Sequence, residues 1–154
     1  MIAFCDPGLA NTAVIAYDER TRTIVAAKTF TTPADGPTPD FADALKRAEL
    51  QAARVLAFMA LHDCTLLVAE KYEDIPGPQR GAKHRWTTPL LLAKLDSRCD
   101  GIVWQSPKTV MTRYRSHKAT WAAKRFGLVK GDTLLQNDHL RSAGCHLLAW
   151  EDAR

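Results

Sequence analysis

The chain has 154 residues, of which 46% are hydrophobic and 25% charged, and its formal net charge at pH 7 is +4. These values predict one domain, residues 1–154, with a genuine hydrophobic core, and they exclude a disordered or fibrous chain. No apolar run approaches membrane-spanning length and no signal peptide precedes the first strand, so we expect no membrane partner and a cytoplasmic location.

The cysteines and the basic charge leave several functions open. Four cysteines lie far apart, with neither a C-x-x-C pair nor a zinc-ligand spacing, so we expect reduced thiols at Cys5, Cys64, Cys99 and Cys145. The positive charge favours an anionic partner, although lysines on a solvated face would give the same value.

Three short strands open the chain. They are rich in Ile, Val, Phe and Tyr, are predicted at 2–6, 12–18 and 23–31, and are followed by the Pro- and Gly-rich loop TTPADGPTPD. A turn around Gly8 and Asn11 joins the first two, which predicts an antiparallel meander.

A long helix is predicted next, from about Asp40 to His62. Thr38 is a suitable N-cap, and Pro39 would occupy the first helical position. An apolar stripe recurs at spacings of three and four, with Lys46, Arg47 and Glu49 off it: Phe41, Leu45, Ala48, Ala52, Val55 and Met59. We expect this helix to be a packing element.

The rest of the chain alternates strands with helices. CTLLVAE, residues 64–70, is a continuous apolar run that predicts a strand buried on both faces, and GIVWQ, residues 101–105, predicts another. Helices are predicted near 86–98, 107–114 and 117–126, and from Asp138 to Trp150. Because helices join the later strands, these strands are expected to be parallel, which makes the chain an α/β domain.

Two of the predicted strands end on a carboxylate, Asp6 and Glu70. In an open α/β sheet the reactive crevice lies beyond the carboxyl ends of the strands, so we expect these side chains to lie close together. Pro7 favours an extended Asp6, and Gly8 allows close backbone approach beside it. Like charges at short range repel unless a cation lies between them, and carboxylates suit Mg²⁺ or Mn²⁺. Taken singly, each carboxylate is more simply explained as a turn or helix-cap residue.

The last predicted helix, which begins in QNDHLRS, offers a third polar group. Asp138 and Ser142 are four residues apart and His139 and Ser142 are three apart, so each pair shares one helix face. A carboxylate at Asp138 is also favoured by the helix dipole. The simpler explanations are an N-cap for Asp138 and a surface side chain for His139.

Positive side chains are concentrated in two segments. Residues 108–125 contain no acidic residue, and Tyr114 and Trp121 are interleaved with Lys108, Arg113, Arg115, Lys118, Lys124 and Arg125. A second group follows the Glu70 strand: Gln79, Arg80, Lys83, His84, Arg85 and Trp86. We expect both segments to bind nucleic-acid phosphates and Trp86 or Tyr72 to stack on an unpaired base. Core packing would explain both of these aromatic side chains as well.

Four stretches of the chain resemble, in order and spacing, the RuvC-like Holliday junction resolvases: FCDPGLANTAVIAYDE, LLVAEKYED, SPKTV with RSHKATW, and DHLRSAGCHLL. The resemblance spans nearly the whole chain. The DPG turn is shared with sugar kinases, chaperone ATPases and the YqgF nucleases, whereas its combination with the later motifs is more specific. The resemblance implies a ribonuclease H-like fold: a mixed five-stranded sheet with strands 1–3 antiparallel, strands 4 and 5 parallel to strand 1, and flanking helices.

The resemblance also implies a site of four acidic or His ligands that holds two Mg²⁺ or Mn²⁺ ions. Asp6 and Glu70 match the first-strand and fourth-strand ligands. The family's last helix reads acidic or His, two residues, Asp and Ala; the pattern falls here on HLRSA, so Ser142 replaces the final carboxylate. Either His139 is the ligand in register, or Asp138 takes that role with the helix slightly rotated. Because a hydroxyl binds Mg²⁺ more weakly than a carboxylate, the second ion is expected to be loosely held.

The implied reaction is two-metal phosphodiester hydrolysis that leaves 5′-phosphate and 3′-hydroxyl ends. Lys118 resembles a lysine near the scissile phosphate, whereas Met111 stands where the family has another lysine. Family members are homodimers, commonly through the helix after the fourth strand, here with Leu90, Leu91, Leu92 and Leu95. The expected protein is a compact bacterial or phage endonuclease that resolves branched DNA in recombination and repair, in the cytoplasm of its own cell or of its host.

Three other functions fit parts of the sequence. A YqgF-like RNA nuclease would explain Asp6 and Glu70, although those chains are usually shorter and lack so basic a penultimate segment. A non-catalytic or weakly catalytic junction-binding module is suggested by Ser142. A kinase or ATPase would need a second copy of the domain, for which 154 residues leave no room. Neither the residues nor the resemblance identifies a branch-migration partner.

Overall fold

The computed structural model describes residues 1–33, 40–72, 87–114 and 138–154. Within these ranges there are five strands, β1 (Ile2–Asp6), β2 (Asn11–Asp18), β3 (Thr23–Thr31), β4 (Leu66–Glu70) and β5 (Ile102–Gln105). The described helices are α1 (Phe41–Leu61), α2 (Thr87–Asp96), α3 (Pro107–Tyr114) and α4 (Asp138–Asp152). None of the described helices combines the length and the apolar composition needed to cross a lipid bilayer.

The strands form one mixed sheet in the order β3-β2-β1-β4-β5. β1, β2 and β3 are antiparallel neighbours, whereas β4 is parallel to β1 and β5 is parallel to β4. The predicted meander and the predicted parallel strands are therefore confirmed. The turn between β1 and β2 requires glycine, because a Cβ atom at Gly8 would lie 2.4 Å from the Asn11 carbonyl oxygen.

Helices cover both faces of the sheet. Side chains of a strand alternate between its faces, and Ala3 and Cys5 of β1 belong to the core on the side of α1 and α2. Ile2 and Phe4 belong to the opposite core, which contains Leu140 of α4. β4 is buried along its centre, as predicted. A third, smaller hydrophobic cluster lies between α3 and α4.

The start of α1 differs from the prediction. The N-cap is Asp40 rather than Thr38, because the Asp40 carboxylate accepts a hydrogen bond from the backbone N–H of Asp43. Phe41, predicted for the apolar stripe, is 61% exposed in the first turn. Arg47, predicted to be solvated, is buried and forms an ion pair with Asp43 at 2.7 Å. Its partner one turn away explains how a guanidinium is tolerated there.

The leucine run of α2 lies partly in the core. Leu91 and Leu95 are fully buried in the cluster that includes α1. They are four residues apart and so share one helix face. Their predicted use at a dimer interface is therefore wrong. Leu90 and Leu92 are half-buried.

We expect Phe4→Ala to lower the free energy of unfolding by about 3–5 kcal/mol, the usual cost of emptying a core aromatic site. Phe4 is fully buried and makes edge-to-face contacts with Tyr17 and Trp150, with ring centroids 6.1 and 6.2 Å apart. Urea unfolding measures the loss. Phe41→Ala is the matched control, and its exposed ring predicts a change within about 0.5 kcal/mol. Equal losses in the two variants would contradict the assignment of the core.

Candidate active site

The ends of β1 and β4 bring two carboxylates to the same edge and the same face of the sheet. Phe4 lies opposite Val68 in the parallel register, and Asp6 and Glu70 are each two residues further on. The side-chain period of a strand is two, so both carboxylates face the side on which Phe4 and Val68 contact α4. The Asp6 and Glu70 side chains are 15% and 26% exposed. The prediction that both strands end at one edge is confirmed.

The first turn of α4 closes this edge of the sheet and contacts Asp6. Nδ1 of His139 lies 3.0 Å from Oδ2 of Asp6, which is hydrogen-bonding distance. A carboxylate accepts and does not donate, so Nδ1–H donates in this bond. The contact fixes one Asp6 oxygen and the plane of the imidazole ring.

Glu70 is held from the other side by residues further along α4. The Ser142 hydroxyl donates to Glu70 Oε2 over 3.4 Å, and His146 Nε2 lies 3.1 Å from the same oxygen. His146 Nδ1 lies 2.8 Å from Oε1 of Gln105, the last residue of β5. His139, Ser142 and His146 fall at spacings of three and four, so one helix face supplies all three groups.

Asp138 occupies a different environment from His139. Its side chain is 83% exposed and forms an ion pair with Arg141 of the same helix. His139 therefore contacts the Asp6 carboxylate while Asp138 is paired with the half-buried Arg141. This geometry favours the first of the two alternatives for the last-helix ligand.

The electrostatic field of the two carboxylates acts on its neighbours. The hydrogen bond to Asp6 raises the pKa of His139 above its ordinary value, and partial burial opposes that shift. The pKa of Cys5 is raised well above the ordinary thiol value, first by complete burial and then by the charges of Asp6 and Glu70. Cys5 is therefore a neutral core thiol rather than a ligand or a nucleophile.

The donor groups of this site supply part of the ligand set of a hard divalent cation. Asp6 and Glu70 supply carboxylate oxygens, and Mg²⁺ is commonly bound by one or two carboxylates together with substrate phosphates. Among the described residues, no three His, Cys, Asp or Glu side chains converge as a ready ligand set. The residues therefore suit a cation whose remaining ligands are water and phosphate oxygens.

Most of the predicted DNA-binding residues lie outside the described part of the chain. These are Arg80, Lys83, Arg85, Arg115 and Lys118, together with Trp86, Trp121, Lys124, Arg125 and the side chain of Arg113. Lys108 is described and is exposed in the first turn of α3. Tyr72 lines a cavity of about 310 Å³ with Lys71, Leu92 and Trp104, and Trp104 packs against the core on the side of α1 and α2.

His146 and Gln105 were not singled out from the sequence. The spacing from His139 and Ser142 places His146 on the site-facing side of the helix, and this signal was present in the sequence. Gln105 ends its strand as Glu70 does, and the two residues are opposite each other in the β4–β5 register.

Comparison of the fold with solved structures finds RuvC. The structure of Thermus thermophilus RuvC in complex with a Holliday junction substrate matches with a TM-score of 0.68 and 16% identity. The match covers 98% of this chain and 94% of that one. A second Thermus thermophilus RuvC structure matches with a TM-score of 0.62 and 17% identity, covering 99% and 96% of the two chains.

No protein-family model matches the sequence, and no curated protein matches it significantly. The match to the RuvC structures and the strand order of the sheet show that the chain has the RuvC-like, ribonuclease H-like fold that the motifs implied.

Proposed function

We propose that this protein is a metal-dependent endonuclease that resolves four-way DNA junctions and other branched DNA by paired symmetric nicks. The observation that carries the proposal is the pairing of Asp6 and Glu70 at the ends of adjacent parallel strands, with His139 closing the same edge. The likeness to RuvC bound to a Holliday junction substrate supports branched DNA as the substrate.

Asp6, Glu70 and His139 are the residues that would hold divalent cations, with Mg²⁺ or Mn²⁺ suited to this donor set. When bound, such ions supply positive charge to the phosphate and lower the pKa of a coordinated water. His139 holds the Asp6 carboxylate through its N–H group, so the oxygen donor is fixed before substrate arrives. Ser142 supplies a hydroxyl to Glu70 and adds no negative charge, which predicts weak retention of a second ion.

The reaction adds water across the P–O3′ bond. The water oxygen forms the new bond to phosphorus, the P–O3′ bond breaks, and the departing 3′ oxygen takes up a proton. The products are a 5′-phosphate and a 3′-hydroxyl at each nick. The Asp6 and Glu70 side chains are mostly buried but reach solvent at the ends of their strands. A phosphate of the DNA backbone would therefore approach them from the solvent side.

A homodimer follows from the symmetry of the proposed substrate. A four-way junction has near two-fold symmetry, and two identical sites related by a two-fold axis would make its two cuts. On α2, Leu90 and Leu92 are half-buried and Ala93 is exposed, so this side of the helix is accessible to a second copy of the chain. Leu91 and Leu95 take no part, since they are buried within their own chain.

Junction binding is expected to fall steeply with salt, and Lys108→Ala is expected to reduce the salt dependence by about one released counterion. Lys108 is exposed on α3, which packs against the helix that carries His139. Lys28→Ala is the matched control, because Lys28 is exposed on β3 at the opposite edge of the sheet. Fluorescence anisotropy over a salt series measures the slopes. Equal slopes for Lys108→Ala and the parent would remove Lys108 from the interface.

A cleavage assay on a synthetic mobile four-way junction tests the function. The junction is labelled on each strand and incubated with Mg²⁺ or Mn²⁺ beside linear duplex, forked DNA and RNA. Paired nicks at symmetric positions on the junction, with little cutting of duplex, are the expected result. Preferential cutting of RNA would identify a YqgF-like nuclease instead.

Ser142 supports one alternative, a junction-binding module with little or no catalysis. Its hydroxyl stands beside Glu70 where the motif of the RuvC-like resolvases has a carboxylate. Tight and selective junction binding without product, even at high Mn²⁺, would establish this alternative and exclude the nuclease.

A further inference from the structure

His146 is completely buried, and both of its ring nitrogens lie within hydrogen-bonding distance of polar side chains. Nε2 faces Oε2 of Glu70 and Nδ1 faces Oε1 of Gln105, at 3.1 and 2.8 Å. Glu70 and Gln105 are the last residues of β4 and β5 and lie opposite each other in register. One imidazole of α4 therefore bridges the ends of two neighbouring strands.

We propose that His146 is a positioning residue that orients the Glu70 carboxylate towards the cation; this inference rests on the proposed function, in which Glu70 is a metal ligand. A carboxylate only accepts hydrogen bonds, so Nε2 carries the hydrogen in its contact with Glu70. With the hydrogen on Nε2, Nδ1 is either an acceptor or a second N–H donor, and the Gln105 carboxamide can meet either case, with its NH₂ group or with its oxygen.

The geometry assigns separate roles to the two Glu70 oxygens. His146 and Ser142 both donate to Oε2, so we assign Oε1 to the cation. Hydrogen-bonded carboxylates of this kind bind metal more tightly than mobile ones, because less orientational freedom is lost on binding. The orientation of Glu70 contributes more to metal affinity here than it would in a site of four carboxylates, since Ser142 contributes no charge.

Burial distinguishes positioning from direct ligation. His146 has no exposed surface, whereas the Glu70 and His139 side chains are 26% and 42% exposed. An incoming hydrated cation therefore reaches Glu70 and His139 from solvent, and His146 lies behind the carboxylate. A purely structural role would affect the stability of the protein and leave the cation affinity of the folded protein unchanged.

The test compares two substitutions in the full chain. His146→Leu keeps much of the volume and removes both hydrogen bonds, while His146→Gln keeps an N–H donor near the position of Nε2. Leu148→Ala, a buried neighbour packed on the side of α3, is the control for loss of packing. Each protein is titrated with Mn²⁺ in the absence of DNA, with free Mn²⁺ followed by electron paramagnetic resonance, and its thermal unfolding midpoint is recorded.

His146→Leu is expected to weaken Mn²⁺ binding by about 10–100-fold, the usual effect of removing a partner of a ligating carboxylate. His146→Gln should recover most of the affinity. Leu148→Ala should lower the unfolding midpoint and leave Mn²⁺ binding as in the parent. Parental Mn²⁺ affinity in folded His146→Leu would overturn the inference. If that variant does not fold, Gln105→Leu decides, with weaker Mn²⁺ binding expected and unchanged binding contradicting the role.

A metal-free measurement separates this inference from the proposed function. In protein labelled with ¹⁵N-histidine, the His146 Nε2–H resonance is identified by its loss in His146→Gln. It should shift in Glu70→Gln and remain in place in Asp18→Asn, which alters a distant carboxylate at the end of β2. A parent that binds no Mn²⁺ would contradict the proposed metal site. A His146 signal that ignores Glu70→Gln would overturn the positioning role, whatever the cleavage result.

Discussion

Replacing Asp6 with Asn is expected to lower the rate of junction cleavage at least about a thousandfold, which is about 4 kcal/mol of lost transition-state stabilisation. The amide keeps the size of the side chain and can still bond to His139, but it removes the negative charge that holds a cation. Junction affinity without metal should be retained or rise slightly, because the substitution removes a negative charge that repels phosphate. Single-turnover cleavage and a gel-shift assay without divalent metal measure the two quantities.

Asp18→Asn is the matched control for this substitution. Asp18 ends β2, which is antiparallel to β1, so it lies at the opposite end of the strands from Asp6. The same chemical change should leave cleavage at the parental rate there. Glu70→Gln should behave as Asp6→Asn does. Parental cleavage by Asp6→Asn would remove the carboxylate from the proposed chemistry, and failure of the variant to fold would show that Asp6 serves the fold.

The position of the two carboxylates was predictable because it depends on local rules. Each ends an apolar run, and strands joined through helices run parallel, so their carboxyl ends meet at one edge. The register then settles which face they share, since Asp6 and Glu70 continue the Phe4–Val68 pair by two residues on each strand. Strand direction was therefore enough to predict the shared end of the sheet, whereas the shared face depends on the β1–β4 register.

The environment of Glu70 was not predictable in the same way. His146 contacts Glu70 and Gln105 across separations of 76 and 41 residues, so its partners are fixed only when α4 packs on the sheet. The prediction of the α1 N-cap was wrong for another reason. Thr38 and Asp40 both have side chains able to cap, and only the backbone geometry selects Asp40.

The exposed and buried residues of α1 show a similar limit. Phe41 matches the helical period but lies in the first turn, beyond the part of the helix that packs on the sheet. Arg47 is charged, yet it lies on the buried face of the helix between Ala44 and Gln51, where Asp43 neutralises it one turn earlier. The hydrophobic pattern of a helix predicts which face packs on the core. It does not predict where along the helix the packing ends, or that a charged pair lies on the buried face.

Ser142→Asp is expected to make the protein depend on divalent metal for its stability. Ser142 is 6% exposed, and its hydroxyl oxygen lies 3.4 Å from Glu70 Oε2. A carboxylate at this position would repel Glu70, and close like charges raise the free energy of the ionised pair. Without metal, the thermal unfolding midpoint should therefore fall below that of the parent. Differential scanning calorimetry with and without Mn²⁺ measures the change.

The same substitution should strengthen cation binding, because the added carboxylate supplies both a charge and a ligand oxygen. We expect the Mn²⁺ concentration for half-maximal cleavage to fall about tenfold, which is about 1.4 kcal/mol of binding free energy. Mn²⁺ should then raise the unfolding midpoint of Ser142→Asp by more than it raises that of the parent. Ser97→Asp, at an exposed serine after α2, controls for added charge. If Ser142→Asp gained neither affinity nor metal-dependent stability, position 142 would lie outside the cation site, and the weak-second-ion explanation for Ser142 would fall with it.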